Sequence, residues 1–512
     1  MKKGMEITGV IDHIEFPEKG ILLTEEGEVV VKGTITGQTV SCRLKKKRNG
    51  RWEAMLLEIL EPSALETEPA RCRNFRCGIG GCGGCAYQTF DYGEQLLMKE
   101  TQIRKMIDTA WHEPYTFEGI SAVQEDDGTY RRFAYRNKME YSFGDAYKGG
   151  PLSLGLHKKG GFYDILLADD CAIVHADMNR VVSCVCRYCT ELGLSFYHKM
   201  SHQGYLRHLL VRRSEKTGDL LVGLVTSSDY ACETMQEEEM LAGFAESLLA
   251  IPLDGRIRGI LHVINDRESD DIIPERVDLL WGEDYIEEEI LGLTFKITPF
   301  SFFQTNSRGA ELLYGKVREY LKESIEGEPV IYDLYSGTGT IGQIVAPVAK
   351  EVVGVEIVEE AVAAANENAA INGLKNARFL AGDVFKVLDS ATGEELPKPD
   401  FIILDPPRDG LSPKALKKVL SYDVPGIIYV ACKPTSLVRD LPAFAEAGYH
   451  LKKVCLAELF PNTPHVEVAA LLERVSNRKA DSYVKLNVKM EDYYRIKDST
   501  GTGKCGGVTE DE

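Results

Sequence analysis

Long apolar runs are missing from this sequence. No segment approaches about 20 uninterrupted apolar residues, the length a bilayer-spanning helix needs, so no membrane span is expected. The opening stretch, MKKGMEITGV, carries two lysines but no apolar block behind them, which argues against a secretory signal and for a cytoplasmic protein. Positive charge is in deficit, 60 Lys and Arg against 79 Asp and Glu, a formal charge of −19. That excludes a uniformly basic, polyanion-binding surface, although a local basic patch still shapes the field around it. Cysteine is also sparse: 13 in 512 residues is too few for a disulfide scaffold. In a reducing compartment, clustered cysteines point instead to a metal or to catalysis.

The remaining composition, 44% hydrophobic and 27% charged, is that of an ordinary globular chain, expected to be a monomer. The pattern along it divides into blocks. Residues 1–60 hold five short strand-like runs, MEITGVIDHI, KGILLT, EVVVKG, QTVSCRL and WEAMLLEIL, separated by glycine and charged turns. Five such strands suit a small barrel of the oligonucleotide-binding sort. Within it, RLKKKRNGR packs six positive charges into nine residues: Arg43, Lys45, Lys46, Lys47, Arg48 and Arg51. It reads as a phosphate-contacting loop or as a solvated hairpin. After the linker EPSALETEPA comes a mixed α+β block, 66–295. There Arg132, Arg136 and Lys138 alternate with aromatic residues, a pattern that suits single-stranded nucleic acid as well as one packed sheet face. Residues 296–478 alternate strand-like runs with helical segments, as in a mostly parallel sheet covered by helices. The tail, 479–512, is charged and is expected to be partly disordered.

In the last block, YDLYSGTGTIG joins a strand to a helix. Gly337 and Gly339 permit a tight turn and close ligand approach, but no lysine follows to grip a triphosphate. Glu356 ends the next strand, placed to accept from both ribose hydroxyls of a nucleoside cofactor. Asp383 ends the one after, placed to meet its base, and Asp333 precedes the turn. This spacing resembles the Class I S-adenosylmethionine-dependent methyltransferases, with a Rossmann-like α/β domain.

Two further strands supply other chemistry. ILDPPRDG brings Asp405 to a strand end, and GIIYVACKP brings Cys432 to the end of the next. Cys432 is a candidate nucleophile, though a cysteine there can equally be buried core. A use for it is methylation at C5 of uracil: a thiolate adding at C6 puts electron density on C5, which then attacks an electrophilic methyl group. A base must next remove the C5 proton so that elimination expels the thiolate. Glu467, beside an apolar run that raises its proton affinity, is the candidate base, and His465 is its rival. PFSFFQTN adds Phe302, able to stack on a base, and Gln304, with both a donor and an acceptor.

CRNFRCGIGGCGGC gathers Cys72, Cys77, Cys82 and Cys85, and thiolates in a glycine-rich loop suit zinc or an iron–sulfur cluster. CVCRYC at 184–189 is an alternative ligand group, or a reduced helical segment.

Over about residues 4–475 the sequence resembles the RNA 5-methyluridine methyltransferases, particularly the bacterial 23S ribosomal RNA (uracil-5-)-methyltransferases. The resemblance rests on Phe302-x-Gln304-x-Asn306, DLYSGTG with Tyr335, Asp405 to Gly410, Val430-x-Cys432-x-Pro434, and Phe460 through Glu467. It implies that Gln304, Tyr335, Glu356 and Asp405 contact S-adenosylmethionine, that Cys432 is the nucleophile and Glu467 the proton acceptor. It further implies that residues 1–60 form a TRAM barrel and that the partner is RNA, 23S ribosomal RNA above all, the alternatives being transfer RNA or a non-catalytic RNA-binding or assembly factor. It also implies a [4Fe-4S] cluster held by Cys72, Cys82, Cys85 and Cys171, with Cys77 competing for the first place. Lys433 stands where the family commonly has asparagine, a change able to assist thiolate formation.

Overall fold

The turn Arg48-Asn49-Gly50-Arg51 shows how directly local chemistry sets the first region. Asn49 (φ 49°) and Gly50 (φ 81°) both take left-handed backbone, as a two-residue hairpin requires, and Arg48 pairs with Arg51 across it. The hairpin joins β4 (Thr39–Arg48) to β5 (Arg51–Glu61). With β1 (Glu6–Glu15), β2 (Lys19–Thr24) and β3 (Gly27–Lys32) they close a five-stranded barrel in the order β1-β2-β3-β5-β4. Its interior is filled by Ile11, Leu22, Val29, Val31, Val40 and Leu44. The computed structural model describes residues 1–75, 80–161, 164–232, 235–384, 387 and 396–474. Cys77 and the tail 479–512 lie outside the described residues.

α1 (Tyr92–Ala110) and β6 (Thr116–Ala122) follow the cysteine loop. The central region is a seven-stranded sheet, order β13-β12-β11-β10-β7-β8-β9. Its strands are β7 (Lys138–Asp145), β8 (Leu152–His157), β9 (Ile165–Leu167), β10 (Leu206–Arg213), β11 (Asp219–Thr226), β12 (Arg256–Ile264) and β13 (Arg276–Gly282). α2 (Ala176–Glu191) and α3 (Glu237–Leu249) pack on it through one apolar cluster. The CVCRYC segment is part of α2, with Cys184 and Cys189 buried in that cluster. A hairpin, β14 (Ile286–Ile290) and β15 (Leu293–Ile297), leads out of the region.

The C-terminal sheet has eight strands in the order β18-β17-β16-β19-β20-β22-β21-β6. Along the chain run α4 (Ser307–Ser324), β16 (Val330–Leu334), α5 (Thr340–Val345), β17 (Glu351–Glu356), α6 (Glu359–Ile371) and β18 (Ala377–Ala381). Then come β19 (Phe401–Leu404), α7 (Pro413–Leu420), β20 (Gly426–Ala431), α8 (Pro434–Glu446), β21 (Tyr449–Glu458) and β22 (Glu467–Arg474). β16 to β20 are parallel, and β22 enters antiparallel to β20. The unbroken apolar run of β20 has a physical reason. Ile427 and Tyr429 face one core and Ile428 and Val430 the other, because helices cover both faces of the sheet. This is the Rossmann-like Class I methyltransferase architecture, preceded by a TRAM-like barrel and a mixed α+β region, as the sequence implies. One element crosses the expected order: β6, from the 66–295 block, pairs with β21 as the outer strand of this sheet. Met1–Arg474 form one compact unit.

Candidate active site

Parallel strands deliver their carboxyl ends to one edge of the sheet, and the acidic groups and the cysteine singled out in this domain lie along it. Across the adjacent strands β17, β16, β19, β20 and β22 stand Glu356, Asp333 with Tyr335, Asp405, Cys432 and Glu467. Strands lie about 4.8 Å apart, so Glu356 and Cys432 are separated by roughly 14 Å, enough to seat a nucleoside between them.

The cofactor half is built on backbone that only particular residues tolerate. Gly339 (φ 71°) caps α5, and a Cβ there would sit 2.5 Å from the Phe379 ring. Gly337 (φ 54°) faces open space, Phe302 being the one neighbour among the described residues within 4 Å of its would-be Cβ. Tyr335 takes φ 65° without being glycine, a costly conformation of the kind found at ligand sites. Glu356 is preset: its carboxylate accepts from the backbone N–H of Gly337 (3.1 Å), Ile357 (2.8 Å) and Val358 (3.0 Å). Asp333 is buried and accepts from Gly342 N–H at 2.9 Å through Oδ2, while its Oδ1 has no partner. Burial, with the charges of Asp405 and Glu356, raises its pKa to about 7. An orphaned buried carboxylate oxygen beside an open glycine turn fits S-adenosylmethionine, whose cationic groups would supply what Oδ1 lacks. Asp383 is close enough to Tyr335 for its charge to push up the phenol.

The nucleophile half is set by register. Ala431 of β20 pairs with Val468 of β22, so Cys432 and Glu467 follow side by side. Glu467 is buried (2% exposed); burial and then Asp405 raise its pKa to about 8, against the pull of Arg408. Cys432 is half-buried, and burial, Glu467 and Asp405 raise its thiol to about 11. Arg408 counters this by charge and by hydrogen-bonding the sulfur. Asp405 is itself raised to about 7 by burial. Arg408 is therefore the cation at the thiol. Lys433 instead faces Asp409 at 3.8 Å. Arg408 was absent from the expected site, although the DPPRDG segment carries it.

The PFSFFQTN segment closes the site from the other side. Asn306 is structural: its Oδ1 caps α4 by accepting from Gly309 N–H at 2.9 Å, and its Nδ2 donates to the Leu459 carbonyl at 2.9 Å. The side chain of Gln304 meets the buried hydroxyl of Tyr314, which lies close to Asp405, Glu467 and Asp333. Tyr314 reads in sequence as one more apolar position of an amphipathic helix. Phe302 is 66% exposed, and its carbonyl accepts from the Thr338 hydroxyl at 3.1 Å, placing the ring at the glycine turn. His465 is exposed, its ring edge-on to Phe460 at 6.1 Å.

Phe302 also lines a cleft of about 540 Å³ together with Arg136, Lys138, Arg212, His157 and Thr463, where Glu140 pairs with Lys138 at 2.6 Å. Arg132 lies apart from it. Its guanidinium is buried, donating to the Gln88 carbonyl (2.9 Å) and Asn462 Oδ1 (3.3 Å), with Glu68 at 3.4 Å. On the barrel, Arg43 pairs with Glu6 (2.6 Å), Lys46 with Glu53 (3.3 Å) and Arg51 with Glu28 (2.7 Å). Lys45, Lys47 and Arg48 are exposed and form no ion pair among the described residues. Replacing these three by glutamine is expected to weaken RNA binding and lower its salt slope by about 2, at roughly 0.7–0.9 per phosphate contact, with cofactor affinity unchanged. A salt titration checks this, and an unchanged slope would leave the hairpin a solvated turn.

The iron–sulfur expectation does not hold. Cys72, Cys82, Cys85 and Cys171 share one neighbourhood, near enough to raise one another's proton affinity. Among the described residues, however, their sulfurs do not form a set within 4.8 Å; the group that does is His175, Asp177 and Asp254. A His/Asp/Asp set is the wrong donor chemistry for a [4Fe-4S] cluster, which takes thiolates. Nor is the His/Asp/Asp set open to a metal: Asp177 already accepts from Arg180, Arg213 and the backbone N–H of Asp254 and Gly255.

Comparison with known proteins decides the family. A sequence model described as tRNA (Uracil-5-)-methyltransferase matches residues 275–475. An uncharacterized RNA methyltransferase of Clostridium tetani is 44% identical over 474 residues, 93% of this chain and 99% of the relative. Another, of Caldanaerobacter subterraneus, is 43% identical over 93% of this chain and 100% of its own. The chain belongs to the RNA (uracil-5-)-methyltransferases. It is an enzyme that forms 5-methyluridine in RNA from S-adenosylmethionine. The crystal structure of Pyrococcus abyssi tRNA (uracil-54, C5)-methyltransferase with S-adenosyl-L-homocysteine shares the fold, with a TM-score of 0.66 and 23% identity, over 91% of this chain and 100% of that one. The expected likeness to 23S ribosomal RNA enzymes is thereby corrected: the family model that matches is described as a transfer RNA one. The motifs behind that expectation form the uracil chemistry both groups share, so they carry no information on the RNA. Among the described residues no helix is long and apolar enough to cross a membrane.

Proposed function

We propose that this enzyme methylates C5 of a uridine in transfer RNA, with Cys432 as nucleophile and Glu467 as proton acceptor. The observation that carries the chemistry is the placing of Cys432, Arg408, Asp405 and Glu467 together at one edge of the sheet. The match of residues 275–475 to the transfer RNA family supports the substrate class. Glu356, Asp383, Asp333, Gln304 and the 335–339 turn would hold S-adenosylmethionine, which would supply an electrophilic methyl group. Cys432 Sγ, as thiolate, bonds C6 of the uracil, and the ring's electron pair moves toward C5 and O4. Once C5 carries the methyl group, the Glu467 carboxylate takes the C5 proton. The C5–H electron pair then restores the C5–C6 double bond, and the S–C6 bond breaks to return the thiolate. A stacked base hides both faces of this bond, so the uridine must leave its stack, and the exposed Phe302 beside the basic cleft offers it a surface.

Mapping 5-methyluridine in transfer and ribosomal RNA of a strain lacking the gene tests the substrate. Loss from transfer RNA is expected; loss confined to ribosomal RNA would overturn the assignment.

The pH dependence follows from the same groups. Glu467 acts as the anion, so with its pKa at about 8 turnover should rise with pH through about 8. Arg408 lowers both Glu467 and Cys432. Arg408→Met should therefore move the profile of single-turnover rates about one unit toward alkaline pH. An unmoved profile would remove Arg408 from the site.

A further inference from the structure

Residues 459–466 join β21 to β22 and deliver Glu467, yet they form neither helix nor strand. A proton acceptor must be held within hydrogen-bond reach of its proton, so the loop's own fixing matters to the reaction. Its backbone is gripped from elsewhere in the chain. The Tyr135 hydroxyl donates to the Pro461 carbonyl at 3.0 Å, and the backbone N–H groups of Ala86 and Tyr87 donate to the Asn462 carbonyl at 2.8 and 3.1 Å. The most unusual grip is Lys99 of α1. It is 1% exposed, a burial that lysine almost never shows unless paired. Its ammonium donates to Glu458 Oε2 at 2.5 Å, to the His465 carbonyl at 2.9 Å and to the Phe460 carbonyl at 3.5 Å. Glu458, also 1% exposed, accepts from Phe460 N–H at 3.0 Å through its other oxygen.

All three ammonium protons are thus spent on Glu458 and on the two ends of the loop, the second contact only two residues before Glu467. A buried ion pair is weak support for a fold, since apolar residues of the same size often do as well. A fixed point charge that two carbonyls of one loop converge on does what an apolar side chain does not: it sets that loop's path.

We propose that Lys99, with Glu458, is a positioning residue for the last step of the reaction, holding the 459–466 loop so that Glu467 reaches the C5 proton. The proposal rests on Glu467 being the proton acceptor. It predicts a selective defect, because Cys432 follows β20 and lies outside the 459–466 loop that Lys99 holds.

The experiment uses the full chain with RNA tritiated at uracil C5 and S-adenosylmethionine labelled in the methyl group. Single-turnover methyl transfer and tritium release are followed together. Lys99→Met strands the Glu458 charge in the interior, so Lys99→Met/Glu458→Gln is made beside it, leaving no unpaired buried charge. In the double variant methyl transfer should stay within about threefold of the parent while tritium release slows at least about tenfold, and a methylated protein–RNA adduct persists. Tritium release that keeps pace with methyl transfer, or an equal fall in both, would overturn the positioning role. A parent enzyme that transfers methyl groups and releases tritium, but whose Glu467→Gln variant releases tritium as fast, would overturn the assignment of Glu467 beneath it and the proposal with it.

Discussion

Cys432→Ala is expected to bind RNA and S-adenosylmethionine as the parent does, to form no covalent adduct, and to lose product formation by about 10⁴-fold or more, as removal of a nucleophile does. The expectation needs defending, because burial raises the thiol of Cys432 to about 11, the same level as Cys42 and Cys455. Those two are core. Cys42 is wholly enclosed by the apolar interior of the barrel, and Cys455 lies in the cluster beneath the C-terminal sheet. Cys432 differs in what surrounds it: a half-open position, a guanidinium on its sulfur, and two carboxylates whose charges oppose the thiolate. Those charges are part of what holds the thiol up, behind burial, and the guanidinium of Arg408 works against both. Labelled-methyl incorporation and denaturing electrophoresis of the protein–RNA complex give the result. Product at the parent rate from Cys432→Ala would sink the nucleophile.

Much of this arrangement was legible because local rules and tertiary demands coincide. The runs VIYDL, EVVGVE, FIIL and GIIYVA are strands buried on both faces, which is what unbroken apolar segments between helices mean. Glycines at 337 and 339 announced a turn, and the left-handed φ at both explains why. Other features depend on partners remote in sequence. β6 finds β21 more than 300 residues away, and nothing in TFEGISA distinguishes a strand of the central sheet from an edge of the last one. Arg132 looked like a phosphate contact among aromatics, but it is bound to the Gln88 carbonyl and Asn462 in the interior. Nothing in the sequence around Lys99 marks it out, and only the fold shows it buried. Cys72, Cys82 and Cys85, clustered in sequence, share a neighbourhood with Cys171, which the resemblance implied. The metal did not follow, because thiol clustering by itself does not fix sulfur separation.

Glu467→Gln is the sharper test, since it separates two steps that Cys432→Ala abolishes together. Glutamine keeps the size and the hydrogen-bonding reach of glutamate but does not accept a proton at this pH. The substitution also removes a charge that raises the Cys432 pKa, so attack by the thiolate should be no slower. The ring is then methylated at C5 and still bonded to Cys432 through C6, with H5 in place. Elimination waits on removal of that proton, and general-base loss costs about 10²–10⁴-fold. The expected result is a burst of one methyl group per enzyme, held in a covalent protein–RNA adduct that survives denaturing electrophoresis, followed by turnover slower by about that factor. Raising the pH from 7 to 9 should speed resolution of the parent's adduct as Glu467, with its pKa of about 8, gives up its proton; the glutamine variant should show no such gain. His465 is the remaining candidate on this loop, exposed and two residues away. Full turnover by Glu467→Gln without adduct, lost when His465→Ala is added, would transfer the role to the imidazole.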